Sequence, residues 1–350
     1  MKGIRGDCVK RKYIILILTV FFLPLSAAGG SFGIGKYAGE FISIGVGGRA
    51  LGLGSAYAAI AGDVTAGYWN PAGLSHITYP EIILMHDERF GGLMNYDYGA
   101  VAVPYGTGAS LGISVIRLGI DGIPDTRNAL IDYTGGGILD EAARLDYDKI
   151  TEHSWADWVV YLTYSKRRNE RLSYGFNVKL VRRDFMEFNA TGIGFDIGLM
   201  YNPIGNLFLG VNAQDITTTL VAWNTGTNDL ISPTLKVGGG YMFEALGGRF
   251  IPLIDLDLRF ESRSFASNMS FGPVSVDLHA GMEYSVGELF ALRVGYNDLG
   301  NLTLGAGIHL PKLDLDYSFA QFDGTGQLGN THRISLRITL SEDRFARKTD

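Results

Sequence analysis

From about Glu81 to Leu340 one pattern recurs: stretches of roughly ten residues in which apolar side chains alternate with small, polar or charged ones. In an extended strand successive side chains point to opposite faces, so a period of two sorts residues onto two surfaces. Ile254, Leu256, Leu258 and Phe260 fall on one face, and Asp255, Asp257, Arg259 and Glu261 on the other. Leu313, Leu315, Tyr317 and Phe319 likewise oppose Asp314, Asp316, Ser318 and Ala320. Fourteen strands are read in this way, at about 81–87, 95–104, 109–119, 157–168, 172–185, 191–202, 207–216, 232–243, 250–262, 274–285, 289–298, 302–310, 313–322 and 331–340. Most have the length that crosses a bilayer when tilted.

The connections supply an independent test. Even-numbered ones are short, as at Tyr105–Gly108, Asn169–Arg171, Pro203–Asn206 and Pro311-Lys312. Odd-numbered ones run longer, at 88–94, 120–156, 217–231, 263–273 and 323–330, with 186–190 and 299–301 as short exceptions. Outer-membrane barrels place short turns on the periplasmic side and longer loops outside, and an even strand count brings both termini to one side. A soluble sandwich or propeller also alternates. The asymmetry of the loops and the tyrosines and phenylalanines near strand ends favour the barrel. The expected fold is therefore all-β: a transmembrane antiparallel β-barrel of about 14 strands, with both termini in the periplasm of a bacterial outer membrane.

Composition agrees. Charged residues are 19% of the chain, below the roughly 25% of soluble domains. Gly, at 48 of 350 residues, disfavours long helices. Residues 1–28 read as a signal peptide: Lys10, Arg11 and Lys12 flank an apolar stretch from Tyr13 to Leu25, and Ser26-Ala27-Ala28 supplies the small residues of a cleavage site. That stretch is shorter than the ~20 residues of a spanning helix. Cys8 is the only cysteine and lies within residues 1–28, so no thiol chemistry remains after cleavage. Cleavage removes five bases and one acid from totals of 30 and 36, which leaves 25 bases against 35 acids and a net charge of −10. Such a balance argues against nucleic acid as a partner.

Residues 29–80 differ in kind. They are rich in Gly and Ala and lack clean alternation. Small residues permit close backbone packing, Asn70-Pro71 initiates a turn, and Gly73 allows positive φ. Trp69 offers a large apolar anchor. Arg49 and Asp63 are opposite charges able to pair in a confined space. A fourteen-strand barrel has a lumen too wide for side chains alone to fill. This segment is expected to plug it, with Arg49, Asp63, Trp69, Asn70, Pro71, Ala72 and Gly73 as the plug or gating residues. The chain thus divides into a signal peptide (1–28), a plug (29–80), the barrel (81–340) and a polar C-terminal tail (341–350).

The same residues carry a resemblance. The run Gly47 to Ala56, then Asp63, then Tyr68-Trp69-Asn70-Pro71-Ala72-Gly73-Leu74, resembles the start of PorV/PorQ family outer-membrane proteins. The Asn-Pro-Ala element is similar to that of FadL-type fatty-acid transporters, which share the fourteen-strand architecture and the plug. Leu328 to Leu336 resembles the last PorV/PorQ strand. Such barrels commonly end in an aromatic residue, whereas here Leu340 is followed by the polar tail Ser341 to Asp350.

Chemistry-bearing patterns are few. None of the six histidines has zinc-site spacing. His279 and Ser275, four residues apart on one strand, stand about 13 Å from each other, too far for direct proton transfer. Gly324 to Gly329 matches G-x-G-x-x-G but lies between two strands, where it reads as a loop. The connection 120–156 holds eight acids and three bases without EF-hand spacing, and Ile138 to Leu145 is compatible with one or two helical turns. No catalytic residue, cofactor or metal is expected, and the protein is read as non-enzymatic. The PorV/PorQ resemblance implies an accessory of protein export or surface attachment of the type IX secretion kind, whose partners are outer-membrane lipids and secreted cargo proteins or secretion-machinery components. The FadL resemblance implies the alternative, a transporter of hydrophobic small molecules that binds a fatty acid or other apolar ligand.

Overall fold

A computed structural model describes residues 38–131, 144–261, 267–321 and 330–348. The expected signal peptide, the first part of the expected plug and the segment Ile138 to Ala143 lie outside the described residues.

Among the described residues twenty strands follow one another: β1 (Glu81–Arg89), β2 (Met94–Tyr105), β3 (Ala109–Asp125), β4 (Leu130–Ile131), β5 (Arg144–Leu145), β6 (Thr151–Arg167), β7 (Leu172–Phe185), β8 (Phe188–Tyr201), β9 (Leu207–Gln214), β10 (Thr219–Trp223), β11 (Asn228–Ile231), β12 (Thr234–Tyr241), β13 (Phe243–Ala245), β14 (Gly248–Arg259), β15 (Met269–Phe271), β16 (Val274–Val286), β17 (Phe290–Tyr296), β18 (Leu302–Leu310), β19 (Leu313–Gln321) and β20 (Asn330–Thr339). Each wall strand pairs antiparallel with its neighbours, and β1 closes the ring by pairing with both β2 and β20. At the seam Ile83 faces Ala100 on one side and Arg337 on the other. Closure removes the free edges that an open sheet would expose to lipid.

The wall has fourteen positions, because β9 with β10 forms one broken strand and β11 to β13 the next. β8 pairs with β9 through Ile197 to Tyr201 and with β10 through Ala190 to Ile193. The break between them carries two non-glycine residues at positive φ, Asp215 (53°) and Thr218 (57°). Residues 217–231, expected as a loop, are thus mostly strand: β10 and β11 carry the pairing beyond the break and turn at Asn224 to Thr227. Strand β3 and strand β6 also continue past their expected ends and pair there, from Ile123↔His153 to Asp125↔Thr151. Arg144 and Leu145, expected at the end of a helical stretch, pair instead with Ile131 and Leu130 in a small hairpin. Two short pairing partners outweigh local helix preference at these positions.

Burial is inverted relative to a water-soluble sheet. Ile254, Leu256 and Phe260 are 54%, 37% and 49% exposed, whereas Asp255, Asp257 and Arg259 are 3%, 1% and 6% exposed. The apolar face of β14 therefore forms the outer surface and the charged face lines the lumen. The same arrangement holds around β7, β8 and β16 to β20, as transmembrane barrels require. Tyr105, Tyr174, Tyr201, Tyr241 and Phe290 stand exposed at the short-turn ends of their strands, where aromatic side chains suit a membrane interface.

One sector departs from this rule. On β1, β2 and β3 the lumen face carries Met85, Tyr96, Tyr98, Ile116 and Leu118, all buried. The outer face there carries His86, Asp97 and Arg117, with His86 Nδ1 2.7 Å from Asp97 and Arg117 3.8 Å from the same carboxylate. The lumen is consequently two-sided. Its β2–β3–β6 side is aromatic and aliphatic, with Val159 and Tyr161 added by β6, and its β14–β20 side is charged.

Residues 38–80 fill the space between. They comprise a 3-10 turn (Glu40–Ile42), helix α1 (Gly48–Gly52), helix α2 (Ala66–Trp69) and a second 3-10 turn (Pro71–His76) that leads into β1. Phe41, Val46, Leu51, Leu53, Tyr57, Val64, Tyr68, Trp69 and Leu74 form one hydrophobic cluster with Tyr96, Tyr98, Ile116 and Tyr161 of the wall. Burial at this density gives plug and wall a shared core, with about 1.5–3 kcal/mol for each large side chain removed from water.

Candidate functional site

Among the described residues, polar and ionic contacts between residues 38–80 and the wall form a dense constellation, the seat of the plug. Its charged part begins at Arg49 on α1. The guanidinium makes a two-pronged contact with Glu283 of β16, at 2.8 Å from each nitrogen. Glu283 also accepts from Arg293 Nε at 2.7 Å, and Arg293 reaches Asp316 at 2.6 Å. Arg49 lies over the Tyr57 ring, 5.5 Å from its centroid, and donates to the phenol oxygen at 3.3 Å. The Tyr57 hydroxyl donates to Asp63 at 2.7 Å. Asp63 stands 3.5 Å from Arg337 of β20, and Arg337 also pairs with Asp314 and lies 3.6 Å from Glu81.

The expected pairing of Arg49 with Asp63 is therefore corrected. The two residues do not pair directly: each takes a partner from the wall, and Tyr57 bridges them. An isolated buried ion costs several kcal/mol. The wall supplies opposite charges at the heights where the plug presents its own, which offsets that cost.

The second part is made of backbone contacts. Asp255 accepts from the main-chain N–H groups of Tyr57 and Ala58, both at 2.8 Å. At α2 three side-chain amides of the wall satisfy carbonyls that a four-residue helix leaves open. Asn177 donates to Gly67 O at 2.7 Å, Asn212 to Trp69 O at 2.9 Å and Gln214 to Tyr68 O at 3.3 Å.

The third part is the turn after Trp69. Trp69 is buried, donates to Val46 O at 2.9 Å, and meets Tyr68 and Tyr57 edge-on at centroid distances of 4.8 and 6.0 Å. Asn70 accepts from Ala72 N at 3.2 Å and so caps the turn that Pro71 begins. Its amide nitrogen donates to Ala58 O at 2.9 Å and to Leu199 O of β8 at 3.1 Å. Ala72 O accepts from Ser165 of β6 at 2.7 Å. At Gly73 a Cβ would lie 1.5 Å from Ala61 O, so no larger residue fits. The wall answers with its own glycine: a Cβ on Gly198 would lie 2.1 Å from the Asn70 side-chain oxygen. The seven plug residues expected from the sequence are thus all part of the seat. Its wall half (Glu283, Arg337, Asp255, Asn177, Asn212, Ser165) is not among the expected site residues, because nothing in sequence spacing links a strand position to a residue so far earlier in the chain.

At the short-turn end His76 stands 3.3 Å from the Ser173 hydroxyl. Burial, with the nearby Arg167 and Arg347 guanidiniums, pushes its pKa down to about 4. At the long-loop end, beyond the apolar belt, Asp125 accepts from Arg127 and His153, and those hydrogen bonds hold its carboxyl well below the usual range. His279 and Ser275 point to different partners, Gly54 O at 2.8 Å and Glu261 O at 2.9 Å, and form no nucleophile–base pair. Two cavities flank the plug on its long-loop side. One of about 40 Å³ lies among Ser43, Tyr68, Lys236 and Arg259. The other, of about 150 Å³, is lined by Glu40, Arg89, Asn297, Asp298 and Arg333 among others. Both are walled largely by polar groups, and neither has the 300–1,000 Å³ apolar form of a small-molecule pocket.

Residues 165–338 match the family of the type IX secretion system membrane protein PorP/SprF. The matched stretch runs from the end of β6 to the end of β20 and contains the wall half of the seat, with the plug motif outside it. No curated protein matches the chain by sequence. Among solved structures it is similar to the toluene transporter TbuX of Ralstonia pickettii, at 13% identity and a TM-score of 0.56, over 84% of this chain and 98% of that one. A FadL homologue of Pseudomonas aeruginosa is similar at 12% identity and 0.54, over 83% and 97%. The toluene transporter TodX of P. putida follows at 12% and 0.52, over 84% and 96%. At such identities the likeness is one of fold. The chain is an outer-membrane β-barrel of closed, fourteen-strand, FadL-like architecture.

Proposed function

We propose that this barrel is a sealed, non-catalytic component of a protein-export system of the type IX kind, which holds or hands over secreted proteins at the outer surface, with its termini in the periplasm. The observation that carries this reading is the seat. Ion pairs to β16 and β20, amide caps from β7 and β9, and contacts with β6 and β8 tie the plug to the wall on several sides. A lumen closed in this way suits a platform that works through its rim and outer wall rather than through its bore. The PorP/SprF match supports it, and the likeness of Gly47–Ala56 and Tyr68–Leu74 to PorV/PorQ proteins points toward a shuttle or anchor role within such a system. Affinity capture from detergent extracts of cells grown under secreting conditions tests the reading. Secreted proteins or other export components should co-purify in stoichiometric amounts, and capture of the barrel alone after chemical cross-linking would overturn it.

One observation favours a second reading, FadL-like uptake of hydrophobic molecules: the β2–β3–β6 side of the lumen is aromatic and aliphatic. Two of the structural relatives are named as toluene transporters. Native mass spectrometry of the detergent-solubilised barrel separates the readings. A bound fatty acid or aromatic hydrocarbon belongs to uptake, and a ligand-free barrel with associated protein belongs to export.

A further inference from the structure

The C-terminal tail follows β20, the last strand of the wall. In the structure it returns across the short-turn mouth and crosses the segment that joins the plug to β1. Leu340 N donates to Pro80 O at 2.9 Å, and Arg347 N donates to Thr78 O at 2.8 Å. Between these two crossings the tail makes a single 3-10 turn, Asp343–Phe345. The Arg347 side chain then closes the strap. Its Nε and Nη2 donate to Ile77 O at 3.1 and 2.8 Å, and Nη2 also reaches Ser75 O at 3.0 Å. On the wall, Nη1 donates to Ala109 O at 2.6 Å and Nη2 to the Ser110 hydroxyl at 2.7 Å.

None of these acceptors is a carboxylate. The guanidinium is held by a set of main-chain carbonyls, two of them at the end of the Pro71–His76 turn, where a helix leaves its last carbonyls open. Arginine presents five donors in a rigid fork, and here that fork bridges the last turn of the plug to the first residues of β3. Residues 77–80 are the sole covalent link between plug and wall, so any unseating of the plug must pivot on them. The tail grips both ends of that pivot.

We propose that the tail, through Arg347, is a latch that holds the plug in its seat, and that withdrawal of the tail is the step that frees the plug to move. Such a latch acts in the same way under the export and the uptake reading, provided that the plug seals the lumen.

The test uses the full barrel in planar lipid bilayers, with amide hydrogen exchange of residues 62–76 measured alongside. Arg347→Ala should introduce conductance openings where the parent barrel is silent, and should speed exchange in the plug by about tenfold while strand amides keep their protection. A silent Arg347→Ala barrel with unchanged plug exchange would overturn the proposal. A second variant guards against failure of the first to assemble. Thr78→Cys with Ala346→Cys, joined by a short thiol cross-linker, should suppress openings provoked by high voltage or urea, and cleavage of the linker should restore them. Openings indifferent to the cross-link would equally overturn the latch.

Discussion

His76 marks where the plug's chemistry meets the periplasmic end proposed for the barrel. With its pKa lowered to about 4, it stays neutral in the seated plug, whereas an unfolded chain takes up a proton below about 6.5. Its contribution to stability is therefore whole above pH 6.5 and is lost progressively as pH falls toward 4. His76→Gln should flatten that part of the acid response. The measurement is the temperature at which the compact barrel converts to the unfolded band on a gel, at pH 7 and pH 5. The parent should lose more between the two than the variant does, and equal losses would show that His76 does not sense the change. Asn70 acts at the same scale by geometry rather than charge. It caps one turn, bonds two distant carbonyls, and fits against the wall because position 198 is a glycine.

Among elements, α1 and β16 are joined by the Arg49–Glu283 pair, with Arg293 on the same carboxylate. Removing one member of a buried pair leaves the other charged and unmatched, at a cost of roughly 3 kcal/mol or more, while replacing both by apolar groups of similar size is close to neutral. Glu283→Gln should accordingly loosen the plug by about that amount. Arg49→Met with Glu283→Met should recover most of it, because Arg293 keeps Asp316. A double-mutant cycle on plug hydrogen exchange reads the coupling, and additive single effects would count against the pair as a fastener.

Strands are the most legible elements. Period-two alternation places β7 at 172–185 and β18 at 302–310 with the bounds observed, since bilayer-spanning strands must separate lipid-facing from lumen-facing residues. The ends at β3, β6, β10 and β11 are not legible, because pairing beyond the membrane imposes no apolar face. Nor is the reversal on β1 to β3 legible. Alternation shows that His86 and Met85 face opposite ways, but only the plug's aromatic residues, packed on the inside, decide which one looks inward. The plug residues are readable as a group from Gly47 to Leu74, through small residues and one turn signal. Their partners on the wall are not, because the seat is assembled by ring closure between positions far apart in sequence.

At the scale of the whole molecule, a closed wall of fourteen strands is filled from within by residues 38–80. The apolar outer face keeps the chain in the bilayer, the two-sided lumen matches the plug's aromatic and charged sides, and the tail holds the join. Swelling of proteoliposomes in isotonic sugar tests the seal most directly. Vesicles containing the full chain should swell no faster than protein-free vesicles for sugars of any size, and deletion of residues 38–77 should make them permeable. Rapid, size-graded swelling with the full chain, equal to that of the deletion, would contradict the account.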